Sequence, residues 1–115
     1  MSTSAERKIA RLLRRLEELG RERRGYLTRA ENIQVERSAL RTALTVKCRN
    51  CSVYYEEGPC RGRHLKKYEE EDDELAEKAA DLQEEIEDVE DQMDDLCEQL
   101  EELGHKHSWR ARQTR

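Results

Sequence analysis

The chain has 115 residues, of which 35% are hydrophobic and 43% are charged, with one Trp, four Tyr and no Phe. An ordinary globular domain is nearer half apolar and a quarter charged. This chain therefore cannot bury a thick core, which excludes a β-sandwich or a doubly wound sheet. Two classes remain: a disordered chain, or long helices with a narrow apolar seam.

Charge is strongly segregated along the chain. Residues 1–47 carry 12 basic and 6 acidic side chains, a net +6, whereas residues 65–103 carry 3 basic and 19 acidic ones, a net −16. Residues 48–64 are net +1 and residues 104–115 net +4. The contrast favours two helices that pair with each other. The alternative is that each half offers its own face to a partner.

A heptad pattern predicts a first, basic helix within residues 1–47. Thr3 and Glu6 fit a capping box just before the first apolar residue. Apolar residues then recur at alternating steps of three and four, which is typical of a coiled coil. The seam positions are Ile9, Leu12, Leu16, Leu19, Arg23, Tyr26, Ala30, Ile33, Arg37, Leu40 and Leu44.

The same period predicts a second, acidic helix over residues 65–104. Gly104 directly follows the last apolar seam residue, at the position where a helix C-terminus favours positive φ. A phase held over this length argues against disorder. The seam positions are Leu65, Tyr68, Asp72, Leu75, Ala79, Leu82, Ile86, Val89, Met93, Leu96, Leu100 and Leu103.

Folding the chain back between the two helices brings the two seams together. Leu19 then faces Met93, and Leu12 faces Leu100. The predicted fold is all-α: an antiparallel two-helix coiled-coil hairpin with a small tip loop, which dimerises into a bundle. The alternative is a parallel dimer in which each helix pairs with its own copy; it would bring the two acidic arms together.

Three charged residues interrupt the apolar seam. Arg23, Arg37 and Asp72 either specify register and partner, or extend their long side chains out of a thin seam to water. Arg37 and Asp72 fall in neighbouring layers of the hairpin, so we expect them to form an ion pair.

Residues 48–64, between the helices, contain a candidate metal site. Cys48, Cys51, Cys60 and His64 form a C-x2-C-x8-C-x3-H pattern. Three thiolates and one imidazole are ligands that tetrahedral Zn²⁺ prefers. Four protein ligands leave no open position, so the zinc would be structural. The alternatives are a disulfide among the tip cysteines, which requires an oxidising compartment, or free thiols.

The expected function is protein–protein association, either with a second copy as a homodimer or with another coiled-coil protein. A two-helix hairpin has little core of its own. Leu13 and Leu27 widen the apolar stripe on one side of helix 1, with Gly20 between them at the same heptad position. Tyr54 and Tyr55 at the tip are further candidate contact residues.

The alternative function is a small zinc-containing regulator that binds nucleic acid through its tip and a basic, disordered tail over residues 105–115. Basic side chains beside an aromatic ring suit phosphates and stacked bases. The acidic second helix disfavours this function. The candidate residues are Arg61, Arg63, Trp109, Arg110 and Arg112.

No pattern in the sequence indicates catalysis, a small-molecule substrate or a membrane segment. The apolar runs are two or three residues long, whereas a transmembrane helix needs about 20. Glycine-rich phosphate loops and Ser-His-Asp groupings are missing. We therefore expect a non-enzymatic protein in an intracellular compartment, cytoplasmic or nuclear.

Overall fold

The computed structural model describes the backbone of residues 3–45 and 63–110, and the side chains of residues 3–40 and 66–110. Two helices pack against each other as a helical hairpin: α1 covers Ser4–Thr45 and α2 covers Arg63–Glu102. The described residues contain no strand. The all-helical class predicted from the sequence is confirmed.

The N-terminus of α1 is capped as the sequence predicts. The Thr3 Oγ1 atom accepts a hydrogen bond from the backbone N–H of Glu6 at 3.1 Å. The Thr3 carbonyl accepts the first helical hydrogen bond, from the N–H of Arg7, also at 3.1 Å. One N–H group that the first turn leaves without a helical partner is thereby satisfied.

The C-terminus of α2 ends in a Schellman motif centred on Gly104, whose φ is +79°. The N–H of His105 donates to the carbonyl of Leu100 at 2.9 Å, and the N–H of Gly104 donates to the carbonyl of Glu101 at 2.9 Å. A residue with a Cβ is strained at this φ, which explains the glycine. The turn directs the following residues away from the helix axis.

Burial follows the seam positions that the heptad pattern defines. Among seam residues whose side chains are described, every one is buried or half-buried, and the charged residues between them are mostly exposed. The most deeply buried side chains are Leu19 and Leu100, at 1% and 0% exposure. A narrow stripe on each helix therefore supplies most of the core.

The chain divides into two compact units: unit 1 comprises Met1–Leu27 and Glu84–Arg115, and unit 2 comprises Thr28–Gln83. In unit 1, the helices run antiparallel. Arg23 Nε donates to Glu90 Oε2 at 3.0 Å, while Gly20, earlier in α1, lies beside Met93, later in α2. The largest buried cluster of unit 1 consists of Leu16, Leu19, Val89, Met93, Leu100 and Trp109, and Ile86 is buried as well.

Unit 2 combines a smaller apolar core with the predicted ion pair. Leu40 and Tyr68 are buried. Arg37 Nε donates to one Asp72 oxygen at 2.9 Å and its Nη2 donates to the other at 3.3 Å. This bidentate hydrogen bonding to Asp72 raises the pKa of Arg37 above its ordinary value. The expected Arg37–Asp72 pair is confirmed.

Several predicted features lie outside the described residues. They include the tip over residues 48–62 with Cys48, Cys51 and Cys60. Arg63 and His64 lie in the first turn of α2, but their side chains fall outside the described set. The zinc site therefore stays a prediction.

Replacing Gly104 with Ala should destabilise the fold by about 1 kcal/mol, because a Cβ at φ +79° is strained. Gly25→Ala is the matched control. Gly25 lies inside α1, and a Cβ added there would meet nothing within 4 Å, so alanine should stabilise by about 0.5–1 kcal/mol. Urea unfolding monitored by circular dichroism measures both changes. Equal effects of the two substitutions would contradict the assignment of Gly104.

Candidate interaction surface

The C-terminal strap, defined here as residues 105–110, packs back onto unit 1. Trp109 is only 5% exposed and belongs to the same core cluster as Leu16, Leu19 and Met93. The sequence predicted a disordered tail over residues 105–115, and the structure corrects that expectation for residues 105–110. The physical reason is that the indole provides a large apolar surface which the open flank of the two helices can cover.

Trp109 is held by polar contacts as well as by apolar burial. Its indole N–H donates to Asp94 Oδ1 at 2.9 Å. The guanidinium groups of Arg23 and Arg110 lie 4.9 Å and 4.4 Å from the indole ring centroid. Each distance is within the range of a cation–π interaction. The indole in this arrangement is not presented to solvent as a stacking platform for bases, which also departs from the role that the sequence suggested for Trp109.

Asp94 joins the strap to α2 through two donors. Arg110 Nη2 donates to its Oδ2 atom at 3.0 Å. This hydrogen bond, together with the one from Trp109, holds the pKa of Asp94 below its ordinary value, although partial desolvation acts in the opposite direction. Both Asp94 and Arg110 are about half exposed, so the ion pair itself contributes little to stability.

A cleft of about 590 Å³ lies between the strap and α1 in unit 1. Its size is within the range of pockets that bind ligands or partner side chains. Gly20 lies on the α1 side of the cleft and leaves space where another residue would have a side chain. The cleft is lined by Leu13, Leu16, Glu17, Gly20, Arg24, Met93, His105, His107 and Trp109.

The predicted partner-binding leucines lie in unit 1. Leu13 is half-buried and packs against the Trp109 cluster, whereas Leu27 is 37% exposed. Val35 in unit 2 is 67% exposed, but it does not share the heptad position of Leu13, Gly20 and Leu27. The strap therefore covers one end of the apolar stripe that the sequence indicated.

The thiol and imidazole groups among the described side chains of unit 1 belong to Cys97, His105 and His107. Cys97 is a free, half-buried cysteine that packs against the core cluster. The rings of His105 and His107 stack with their centroids 6.4 Å apart. Within the described residues, no group of three or more His, Cys, Asp or Glu side chains is placed to hold a metal ion.

Most of the other residues singled out from the sequence lie outside the described side chains. Of the nucleic-acid candidates, Arg110 is exposed and bonded to Asp94. Outside the described set lie Cys48, Cys51, Cys60, His64, Tyr54, Tyr55, Arg61, Arg63 and Arg112.

Sequence reasoning missed the cluster around Trp109. The strap has no regular repeat of apolar residues, so the heptad pattern ends at Leu103 and predicts nothing about the residues that follow. The available signal was a lone tryptophan beside arginines, a few residues after a glycine that ends a helix. The pairing of Arg23 with Glu90 was missed for a similar reason, because a seam arginine has several carboxylates within reach on an acidic helix.

No protein-family model matches the chain, and neither a curated protein nor a solved structure shows significant similarity to it. Neither helix, over the part of the chain that the structure describes, is long and apolar enough to cross a membrane.

Acid should weaken the docking of the strap by a small amount through protonation of Asp94, because apolar burial still holds Trp109. Because its folded pKa is lowered, the stabilisation is present above the unfolded pKa, about 3.9, and is lost as pH falls through the folded value. The fluorescence of Trp109, the one tryptophan in the chain, should shift to the red in this acid range. Asp94→Asn should weaken this pH dependence. The neighbouring exposed Asp95→Asn is the control, and identical titrations for all three proteins would contradict the assignment.

Proposed function

We propose that this chain is a non-enzymatic, zinc-stabilised coiled-coil module that mediates protein–protein association. The observation that carries the proposal is the distribution of burial and charge. Each described helix buries one seam and presents a largely charged surface on its remaining sides. Such a surface suits a partner of complementary charge and shape, because charge complementarity across an interface provides specificity and fast association.

Zinc is the proposed clamp at the connection between the helices. Support comes from the C-x2-C-x8-C-x3-H spacing and from the helix bounds, since α1 ends at Thr45, shortly before Cys48, and α2 begins at Arg63, just after Cys60. A metal site here would offset the entropy of closing the loop and would fix the register of the two helices.

The partner proposed for the module is a second copy of the chain or another coiled-coil protein. The support is the apolar stripe of α1, part of which stays exposed at Leu27. A second copy is the simpler partner, because most soluble oligomers are symmetric homo-oligomers.

Removing zinc should lower both helicity and melting temperature. Cys51→Ser or His64→Ala should have the same effect, whereas Ser52→Ala, which changes a loop residue outside the ligand set, should not. A loss of only about 2 kcal/mol would lower the melting temperature of a domain of this size by roughly 8 °C. Plasma mass spectrometry should find one zinc per chain. Melting curves unchanged by a chelator would contradict the clamp.

A test of the nucleic-acid alternative requires a variant that leaves the strap intact. Deleting residues 105–115 would also remove Trp109 from the core of unit 1. Arg112→Ala with Arg115→Ala lowers the basic charge and leaves Trp109 and Arg110 in place. Our proposal predicts no micromolar binding to labelled single-stranded or duplex DNA for either protein. Salt-dependent binding that the double variant weakens would favour the alternative.

A further inference from the structure

We infer that the partner is a second copy of this chain, docked antiparallel along α1 about a two-fold axis at Gly20. This inference rests on the proposed function and specifies its surface. The Gly20 face, as we call it, consists of Leu13, Glu17, Gly20, Arg24 and Leu27. All five residues belong to unit 1 and lie along one flank of α1.

The Gly20 face is self-complementary. Leu13 lies seven residues before Gly20 and Leu27 seven residues after it, while Glu17 and Arg24 lie three before and four after. In an antiparallel pair of α1 helices centred on Gly20, Leu13 of one copy would meet Leu27 of the other. A two-fold interface requires this reciprocity, because the same patch must fit itself.

The charges on this face also come close to each other under the same two-fold operation, with an offset of one residue, or about 1.5 Å along the helix. Glu17 of one copy would oppose Arg24 of the other, and the contact would occur twice. Arg24 already makes an interaction within its own chain, which its long side chain would exchange for the new one. The expected gain is therefore modest, and its main effect is to fix the register.

Gly20 has a steric role in the docked pair that the single chain does not require. A Cβ on Gly20 would lie 3.8 Å from Arg24 Nη1 and 3.9 Å from Met93 Cε, which is ordinary contact. The chain's own packing thus has room for alanine, although glycine inside a helix costs about 1 kcal/mol. Gly20 is buried in the single chain, so a second helix reaches it only when the Arg24 side chain moves from its place beside Gly20 to the new pairing. A residue without a side chain at the crossing point then allows the two backbones to approach closely.

The cleft beside the strap provides space for the second copy. It is lined by four of the five face residues, all except Leu27, and its far wall is formed by His105, His107 and Trp109. At the shallow crossing of about 20° found in helix bundles, residues one heptad from the axis stay in contact. Leu27 of the second copy would enter beside Leu13, close to the Trp109 ring, so association should change tryptophan emission.

A charge-swap experiment tests this arrangement. Glu17→Arg and Arg24→Glu each place two like-charge pairs in the homodimer, so each should weaken association at least about tenfold. Mixing the two single variants should restore association as a heterodimer, and the double variant should restore the homodimer. Sedimentation equilibrium up to about 200 µM covers the weak affinity expected of a small interface.

Off-face charge changes are the controls for that experiment. Glu18→Arg and Arg21→Glu make the same kinds of charge reversal at residues next to the face, and they should leave association unchanged. If they weaken it as much as the face variants do, or if the mixture stays dissociated, the two-fold docking is overturned.

Alanine substitutions separate association from stability. Gly20→Ala should stabilise the helix yet weaken association, because its methyl group lies at the crossing. Gly25→Ala, in open space, should stabilise the helix and leave association unchanged. Equal association for both variants and the original chain would overturn the role of Gly20.

The outcomes also distinguish this inference from the proposed function. If the chain binds zinc but stays monomeric, and Trp109 emission does not change as the protein concentration rises, the two-fold docking is overturned. The module would then remain available to another coiled-coil protein. A chain that forms the charge-dependent dimer without binding zinc would overturn the clamp and support the Gly20 face.

Discussion

A single apolar stripe on each helix is the constraint on which the rest of the structure depends. With 35% hydrophobic residues and 43% charged ones, the chain can bury side chains only where two helices face each other. Burying a leucine contributes about 1.5–3 kcal/mol, so the nearly inaccessible Leu19 and Leu100 contribute strongly to unit 1. The remaining positions are left for charge, which gives each described helix a largely charged outer surface.

The strap strengthens that narrow core where α2 ends. Gly104 turns the chain, and Trp109 then adds an aromatic side chain to a cluster otherwise made of aliphatic residues and methionine. Arg23, which interrupts the apolar seam, bonds to Glu90 and also contacts the indole face. An unpaired arginine in an apolar seam would destabilise the fold. Arg23 is paired, and its contacts link α2 to the strap. Its side chain is 17% exposed and its charge is paired with Glu90.

The sequence predicted those features that follow from local or periodic physics. Thr3 caps α1 because its side-chain oxygen reaches an N–H three residues later, and Gly104 ends α2 because only glycine tolerates that φ readily. The heptad phase located the buried positions, and the layer spacing located the Arg37–Asp72 pair. These inferences need only neighbours in the chain or a fixed helical period.

The position of Trp109 required tertiary information that the sequence pattern lacks. A short segment after a helix that lacks a repeat of apolar residues gives no indication of which residues it contacts. Basic residues beside an aromatic ring are also compatible with several roles. Its docking depends on an opening beside Gly20 and on the carboxylate of Asp94, which are 74 residues apart in the chain. The predicted zinc tip is different again, because its proposed ligands rest on spacing alone.

The Gly20 face is where we propose that a partner binds. The most direct test is the mass of the chain in solution, measured by sedimentation equilibrium, with zinc supplied, across a concentration series. Self-association through the Gly20 face predicts a reversible shift from the chain mass of 13.6 kDa to twice that mass, accompanied by a change in Trp109 emission. A single species at the chain mass over the whole series would contradict it.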